Sequence, residues 1–208
     1  MEIIAHRGYW TSPQEKNTPI AFRRAFENGF GVETDFRDSL GKLVVSHDVP
    51  LTLDDSVTTF LGLYASYPVR APVALNIKSD GLQDLICALI EQGNLKSAFA
   101  FDMTVPDMRG YFSKGIPVYS RVSDHESAAF LDQAEGIWFD AFERELLDIA
   151  VIEYYLNLGK KITFVSSELH GRDYRDLWKF IGDQKLHQDA NISICTDFPE
   201  EVRSFFSL

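Results

Sequence analysis

Thr18-Pro19-Ile20-Ala21-Phe22-Arg23-Arg24-Ala25-Phe26-Glu27-Asn28-Gly29, followed two residues on by Gly31-Val32-Glu33-Thr34-Asp35, sets the pattern of the whole chain. Thr18 stands where a helix cap belongs, Pro19 at the first helical position, and Phe22, Ala25 and Phe26 on one face before Gly29. Residues 31–35 then read as a strand. Working outward, short apolar runs at 2–5, 73–77, 98–101, 117–120, 136–139, 162–165 and 191–195 bring the expected strands to eight.

Helix patterns fill most of the gaps. Asp80 heads one, with Leu82, Leu85, Ile86, Leu89 and Ile90 at helical spacing before Gly93. Ser123 with Glu126 reads as a capping box ahead of Phe130 and Leu131. Leu147, Ala150, Val151, Tyr154 and Leu158 make a further apolar stripe, and Tyr174, Leu177, Trp178 and Ile181 the last. Strand–helix alternation predicts a parallel sheet, and eight such units predict an α/β TIM (β/α)8 barrel. A run at 43–46 is expected to pair back as a short hairpin arm after the second strand, carrying His47 over the mouth. A doubly wound open sheet explains the alternation equally well, but not the polar residues that follow the strands. No linker or repeat interrupts residues 1–208, so one domain is expected.

The composition bounds the partners. A net charge of −11 over 208 residues argues against nucleic acid or an anionic membrane, both of which are bound by neutralising phosphates. The opening Met1-Glu2-Ile3-Ile4-Ala5-His6 has no basic, apolar leader pattern, so a cytoplasmic location and no membrane insertion are expected. Cys87 and Cys195 both lie in apolar patterns and read as free, buried thiols.

Polar residues at or just past the strand ends are His6, Glu33 with Asp35, Asn76 with Lys78, Asp102, Arg121, Asp140, Ser166 to Glu168, and Asp197. Barrel active sites are built there. Glu33 and Asp35 point the same way from one strand, about 7 Å apart along the chain. Two carboxylates so placed repel unless a cation or proton joins them. Their hard oxygens suit Mg²⁺ or Ca²⁺, and no Cys/His cluster suggests zinc. His6 and His47 suit a general acid–base pair, because imidazole titrates near neutrality. Arg7 and Lys78 suit phosphate oxygens. His170 and Arg172, in a Gly-containing loop after the seventh strand, are candidate substrate contacts or a helix start. His125 and His187 read as surface residues, and Trp10, Trp138 and Trp178 as core or rim.

The ordered set His6-Arg7-Gly8, Asn17-Thr18-Pro19-Ile20-Ala21-Phe22, Glu33-Thr34-Asp35, His47-Asp48, Asn76-Ile77-Lys78 and Thr196-Asp197-Phe198-Pro199 resembles the glycerophosphodiester phosphodiesterase family. That family lies within the phosphatidylinositol-phospholipase-C-like phosphodiesterase superfamily, and this chain looks like a divergent member. The resemblance implies a metal-dependent phosphoric diester hydrolase of lipid metabolism acting on a small phosphodiester. It implies His6 and His47 as catalytic, Arg7 and Lys78 on the substrate, and a divalent metal at Glu33, Asp35 and the position of Asn76. It further implies that a substrate hydroxyl beside the phosphate attacks first, giving a cyclic phosphate. Three departures stand out: Lys16 where the family has Glu, a shortened turn at 39–42, and Asn76 in place of an acidic ligand. Asp102 is the alternative third ligand, or else a helix cap. The alternative function is a catalytically weakened barrel that binds a phosphate ligand.

Overall fold

The stretch that sets the sequence pattern forms helix α1 (Pro19–Glu27) and strand β2 (Gly31–Ser39) in a computed structural model that describes residues 1–51, 56–68 and 71–208. The remaining elements are β1 (Glu2–His6), β3 (Lys42–Val45), α2 (Ser56–Ala65), β4 (Val73–Ile77), α3 (Gln83–Gly93), β5 (Ala98–Phe101), α4 (Val105–Ser113), β6 (Tyr119–Val122), β7 (Gly136–Phe139), α5 (Ile149–Asn157), β8 (Lys161–Val165), α6 (Arg175–Asp183), β9 (Ile192–Thr196) and α7 (Pro199–Phe206). The alternation is that of the expected (β/α)8 barrel, and the hairpin arm after the second strand is present. The chain clusters into two compact units, Ile4–Val118 and Met1–Ile3 with Tyr119–Leu208.

In the first unit β1, β2, β4 and β5 are neighbours in that order and pair in parallel. A parallel bridge from Ala100 to Val118 carries the order onward without the reversal that a doubly wound sheet requires. β3 folds back antiparallel on β2, from Phe36 opposite Val45 to Ser39 opposite Lys42. From Gly31 to Phe36 every residue of β2 is buried, as in a strand covered on both faces. Behind it Phe60 of α2 meets Phe22 edge-on at 5.1 Å, Phe26 at 6.1 Å and Phe36 at 6.2 Å. Each such buried ring contributes roughly 1.5–3 kcal/mol, so this cluster fixes α1 and α2 against the strand that carries the acids.

In the second unit β6, β7, β8 and β9 pair in parallel in sequence order. Thr163 and Ser193, register partners on β8 and β9, share a buried 2.6 Å hydroxyl hydrogen bond. Trp178 packs against Tyr174 at 4.1 Å and Phe205 at 5.6 Å, seating α6 and α7. Cys87 and Cys195 are free thiols, Cys195 buried and Cys87 half-buried.

Four local expectations need correction. Asp80 does not cap α3, which begins at Gln83; its carboxylate instead accepts from Thr104 Oγ1 at 2.9 Å. Ser123 does accept from the amides of His125 and Glu126, each at 3.1 Å, but the turn closes on itself and no α-helix follows before β7. The stripe on α5 faces outward: Val151, Tyr154 and Leu158 are exposed, while Ile152 and Tyr155 are buried. Sequence spacing finds an apolar face, but here the helix docks on a narrower one beside it. His187 is packed rather than surface, its ring stacked on Phe206 at 5.3 Å. Trp138 and Trp178 are core, and Trp10 is half-buried.

Candidate active site

The first unit brings most of the candidate residues to the ends of β1, β2, β4 and β5. Register places Asp35 directly opposite Asn76, and His6 opposite Glu33. Because β2 is central, Glu33 and Asp35 are almost fully buried. Burial, and next the charge of Asp35, pushes the Glu33 carboxyl up to about 7.

The loop from β1 to α1 wraps this pair. The Arg7 amide donates to Glu33 Oε2 at 3.0 Å, and His6 Nε2 lies 3.9 Å from the same oxygen. The turn is possible because Gly8 has φ +81°, and a Cβ there would come within 2.8 Å of Ala21 on α1. Arg7, Asn17 and Asp102 also occupy the left-handed region, at φ 56°, 58° and 67°. Strained backbone of this kind persists only where its surroundings over-determine it; here Arg7 and Asn17 meet the acids, and Asp102 meets Lys78 beside them.

Asn17 holds Asp35. Its Nδ2 donates to Asp35 Oδ2 at 2.7 Å, and its Oδ1 accepts from Thr34 Oγ1 at 2.9 Å, which fixes the amide's orientation. Asp35 is also paired with Arg7 Nε at 3.0 Å and Lys78 Nζ at 3.3 Å, and Lys78 is 3.9 Å from Asp102. Asn76 donates from Nδ2 to Glu33 Oε1 at 3.0 Å. Among the described residues, Asn76 Oδ1 and Asp35 Oδ1 are buried without a hydrogen-bond partner. Lys78 is within ion-pair distance of Asp35 Oδ1 but off the line a hydrogen bond needs.

Two buried oxygens on register partners that accept no hydrogen bond, beside a carboxyl that resists ionising, fit a hard divalent cation: all the ligand atoms are oxygen and one electropositive group would satisfy them together. Asp102 does not cap α4, whose N-cap is Thr104; its carboxylate faces Lys78 instead. Asn17 and Thr34 were not singled out from sequence. The Asn17-Thr18 motif was a usable signal for the first, but Thr34 alternates with the acids and gave none.

His47 follows the hairpin arm, which is tied to the acids through Ser46 N to Asp35 O at 3.0 Å. Its side chain is half-exposed, and Nδ1 pairs with Asp48 Oδ1 at 2.9 Å. Among the described residues its ring makes no hydrogen bond to Glu33 or Asp35. Lys16 lies over the Trp10 ring at 4.3 Å, and Trp10 Nε1 donates to the His6 carbonyl at 3.2 Å.

The second unit holds the other two candidates, each with an acidic partner. His170 Nε2 is 2.6 Å from Asp140 Oδ1, and Arg172 pairs with Glu145, which also accepts from Ser167 Oγ at 2.6 Å. The C-terminal motif is structural here. Thr196 Oγ1 and the Asp197 amide bind the half-buried Glu168, whose carboxyl is raised by burial. Asp124, His125 and Glu143 offer ligand atoms within 4.8 Å of one another, a cluster the sequence reading did not anticipate. Asp124 spends both oxygens on the Phe142 and Glu143 amides, at 2.9 Å each.

No helix among the described residues is long and apolar enough to cross a membrane. No family model and no curated protein matches the chain by sequence. Solved structures do. A glycerophosphodiester phosphodiesterase from Agrobacterium tumefaciens is similar over 100% of both chains, with TM-score 0.66 and 16% identity. A glycerophosphoryl diester phosphodiesterase from Parabacteroides distasonis is similar over 99% of this chain and 86% of its own, with TM-score 0.65 and 13% identity. A Ca²⁺-dependent phosphatidylinositol-specific phospholipase C from Streptomyces antibioticus is similar over 99% and 95%, with TM-score 0.55 and 11% identity. One fold hosts many chemistries, and identity this low speaks for the fold alone. The whole chain is thus similar in fold to solved phosphodiesterases that share the (β/α)8 barrel expected from its sequence.

Proposed function

We propose that the chain is a metal-assisted phosphodiesterase acting on a small glycerophosphodiester-like substrate. The observation that carries the reading is the pair of buried oxygens on Asp35 and Asn76 that accept no hydrogen bond, set beside Glu33 with Arg7 and Lys78 around them. Glu33, Asp35 and Asn76 would hold Mg²⁺ or Ca²⁺. Such a cation supplies Lewis-acid stabilisation of charge on the phosphoryl oxygens. Arg7 and Lys78 hold those oxygens, Arg7 with the two-point contact that suits phosphate.

His6, 3.9 Å from Glu33, gives or takes a proton at Nε2. Asp48 on Nδ1 of His47 favours the tautomer whose Nε2 is basic, so His47 is its partner in acid–base work. His170 and Arg172 enter only by their place in the loop after β8. Their present acid partners would compete with a substrate. The similarity in fold to solved phosphodiesterases supports the same reaction class.

A second reading is a phosphate-binding module with weakened turnover. Asn76, neutral where a carboxylate would bind the cation harder, favours it. Phosphorus NMR of glycerophosphodiester hydrolysis separates the two, using chelated protein with and without added Mg²⁺ or Ca²⁺. Metal-restored turnover is the expected result. Tight binding of the diester without cleavage under any metal would favour the second reading.

A further inference from the structure

The second unit contains a cavity of about 500 Å³ that the proposed phosphodiester chemistry does not use. It opens where β6 is followed by an irregular stretch instead of a helix. Val122 and Phe139, register partners at the ends of β6 and β7, line its buried side. Leu146, Leu147 and Val151, at and just before the start of α5, line its open side. The outward stripe of α5 continues this surface through Tyr154 and Leu158. From Val151 to Leu158 that track runs about 10 Å at helical rise.

The charges at the rim are unevenly committed. Glu126 pairs with Arg121, Glu145 with Arg172, and Asp148 caps α5 by accepting from the Ala150 amide at 2.9 Å. Arg144, also on the rim, has no ion-pair or hydrogen-bond partner among the described residues. The cavity therefore combines an apolar interior with one uncommitted cation. Its volume lies within the usual range for small-molecule sites, roughly 300–1,000 Å³.

We propose that this cavity binds a single-chain anionic amphiphile, a long-chain carboxylate, with its hydrocarbon on Val122, Phe139, Leu147 and Val151 and its head group on Arg144. The apolar interior selects the chain, and the free guanidinium selects the sign of the head. A neutral or cationic amphiphile of equal length gains only the first. The inference does not depend on the phosphodiesterase reading.

The test is calorimetric titration of the full chain with octanoate, decanoate and dodecanoate below their micelle concentrations, with dodecanol and dodecyltrimethylammonium as charge controls. Affinity should tighten up to about tenfold for every two methylenes buried. Dodecanoate should bind most tightly of the three twelve-carbon probes. Val151→Trp, which fills the cavity from a partly exposed position, should weaken dodecanoate at least about tenfold. Leu147→Trp is the second filling variant, and thermal melts verify that each is folded. Arg144→Glu should weaken dodecanoate and leave dodecanol unchanged. Affinity independent of chain length, equal binding by both Trp variants, or no preference for the anion would overturn the proposal. So would concentration-dependent dimerisation abolished by Val151→Trp without amphiphile binding, since a second copy would then cover the face.

Discussion

Asp35 and Asn76 stand opposite each other on adjacent parallel strands, and each has one buried oxygen that accepts no hydrogen bond. A buried acceptor left without a hydrogen bond costs roughly 1–3 kcal/mol, which applies in full to Asn76 Oδ1, and the two oxygens together suit something electropositive. Lys78 forms an ion pair with this Asp35 oxygen at 3.3 Å without a hydrogen bond, and Asn76 gives its only donor group to Glu33.

If Asn76 is a neutral ligand, Asn76→Glu adds an anionic oxygen to the site. Calcium or magnesium affinity should rise about tenfold or more, since affinity in such sites follows the ligand charge count. Calorimetry on chelated protein measures it. Unchanged or weaker affinity would remove Asn76 from the ligand set.

Thr34 should act through Asn17. Thr34→Val removes the hydroxyl that fixes the Asn17 amide and leaves Asn17 Oδ1 bare. Metal affinity should fall several-fold. Stability should fall by about 1–2 kcal/mol, a loss of a few degrees in Tm for a chain of this size. A drop in Tm with metal affinity intact would make the pair purely structural.

Glu33 makes a signed prediction for the metal-free protein. Its folded-state carboxyl is raised to about 7 by burial and by Asp35, above the ordinary 4.5. The folded form therefore binds the proton more tightly than the unfolded form. This contribution makes the chelated protein most stable below pH 4.5 and less stable as pH rises through about 7, where the buried charge must be carried. Denaturant unfolding of wild type and Glu33→Gln from pH 5 to 8 checks it: the difference between them should widen in favour of Gln as pH rises. The same variant should lose turnover.

His6→Ala and His47→Ala should each lower turnover at least about 100-fold, the usual scale of general acid–base catalysis, and the wild-type profile should be bell-shaped in pH. Normal turnover by His47→Ala would leave the hairpin arm without a catalytic role.

A substrate whose alcohol carries a hydroxyl beside the phosphate has an internal nucleophile already in place, with little entropy left to lose. An analogue lacking that hydroxyl should bind comparably and be cleaved far more slowly, with a cyclic phosphate seen by phosphorus NMR only for the parent. Equal rates on both would point to direct attack by water.

Local pattern alone determined a great deal here. The strands β4, β5 and β7 lie at the residues expected, because a short apolar run between turn signals has few other places to go. The acids on β2 were legible for the same reason, since strand alternation puts Glu33 and Asp35 on one side. Partners were not legible. Asp80 has the form of a helix cap yet binds Thr104, and Ser123 has the form of a capping box yet starts no helix. Both side chains satisfy a nearby backbone or hydroxyl group, and which one is available depends on what packs there. The α5 stripe reads as core until the docking face proves to be the neighbouring one. Thr34 shows the limit most clearly: its alternation with the acids says only that it turns from them, whereas the loop carrying Asn17 brings an amide to both Thr34 and Asp35. Periodicity is a property of the chain. The identity of the group across a hydrogen bond is a property of the packed tertiary structure, because only packing sets which donors and acceptors are left to meet.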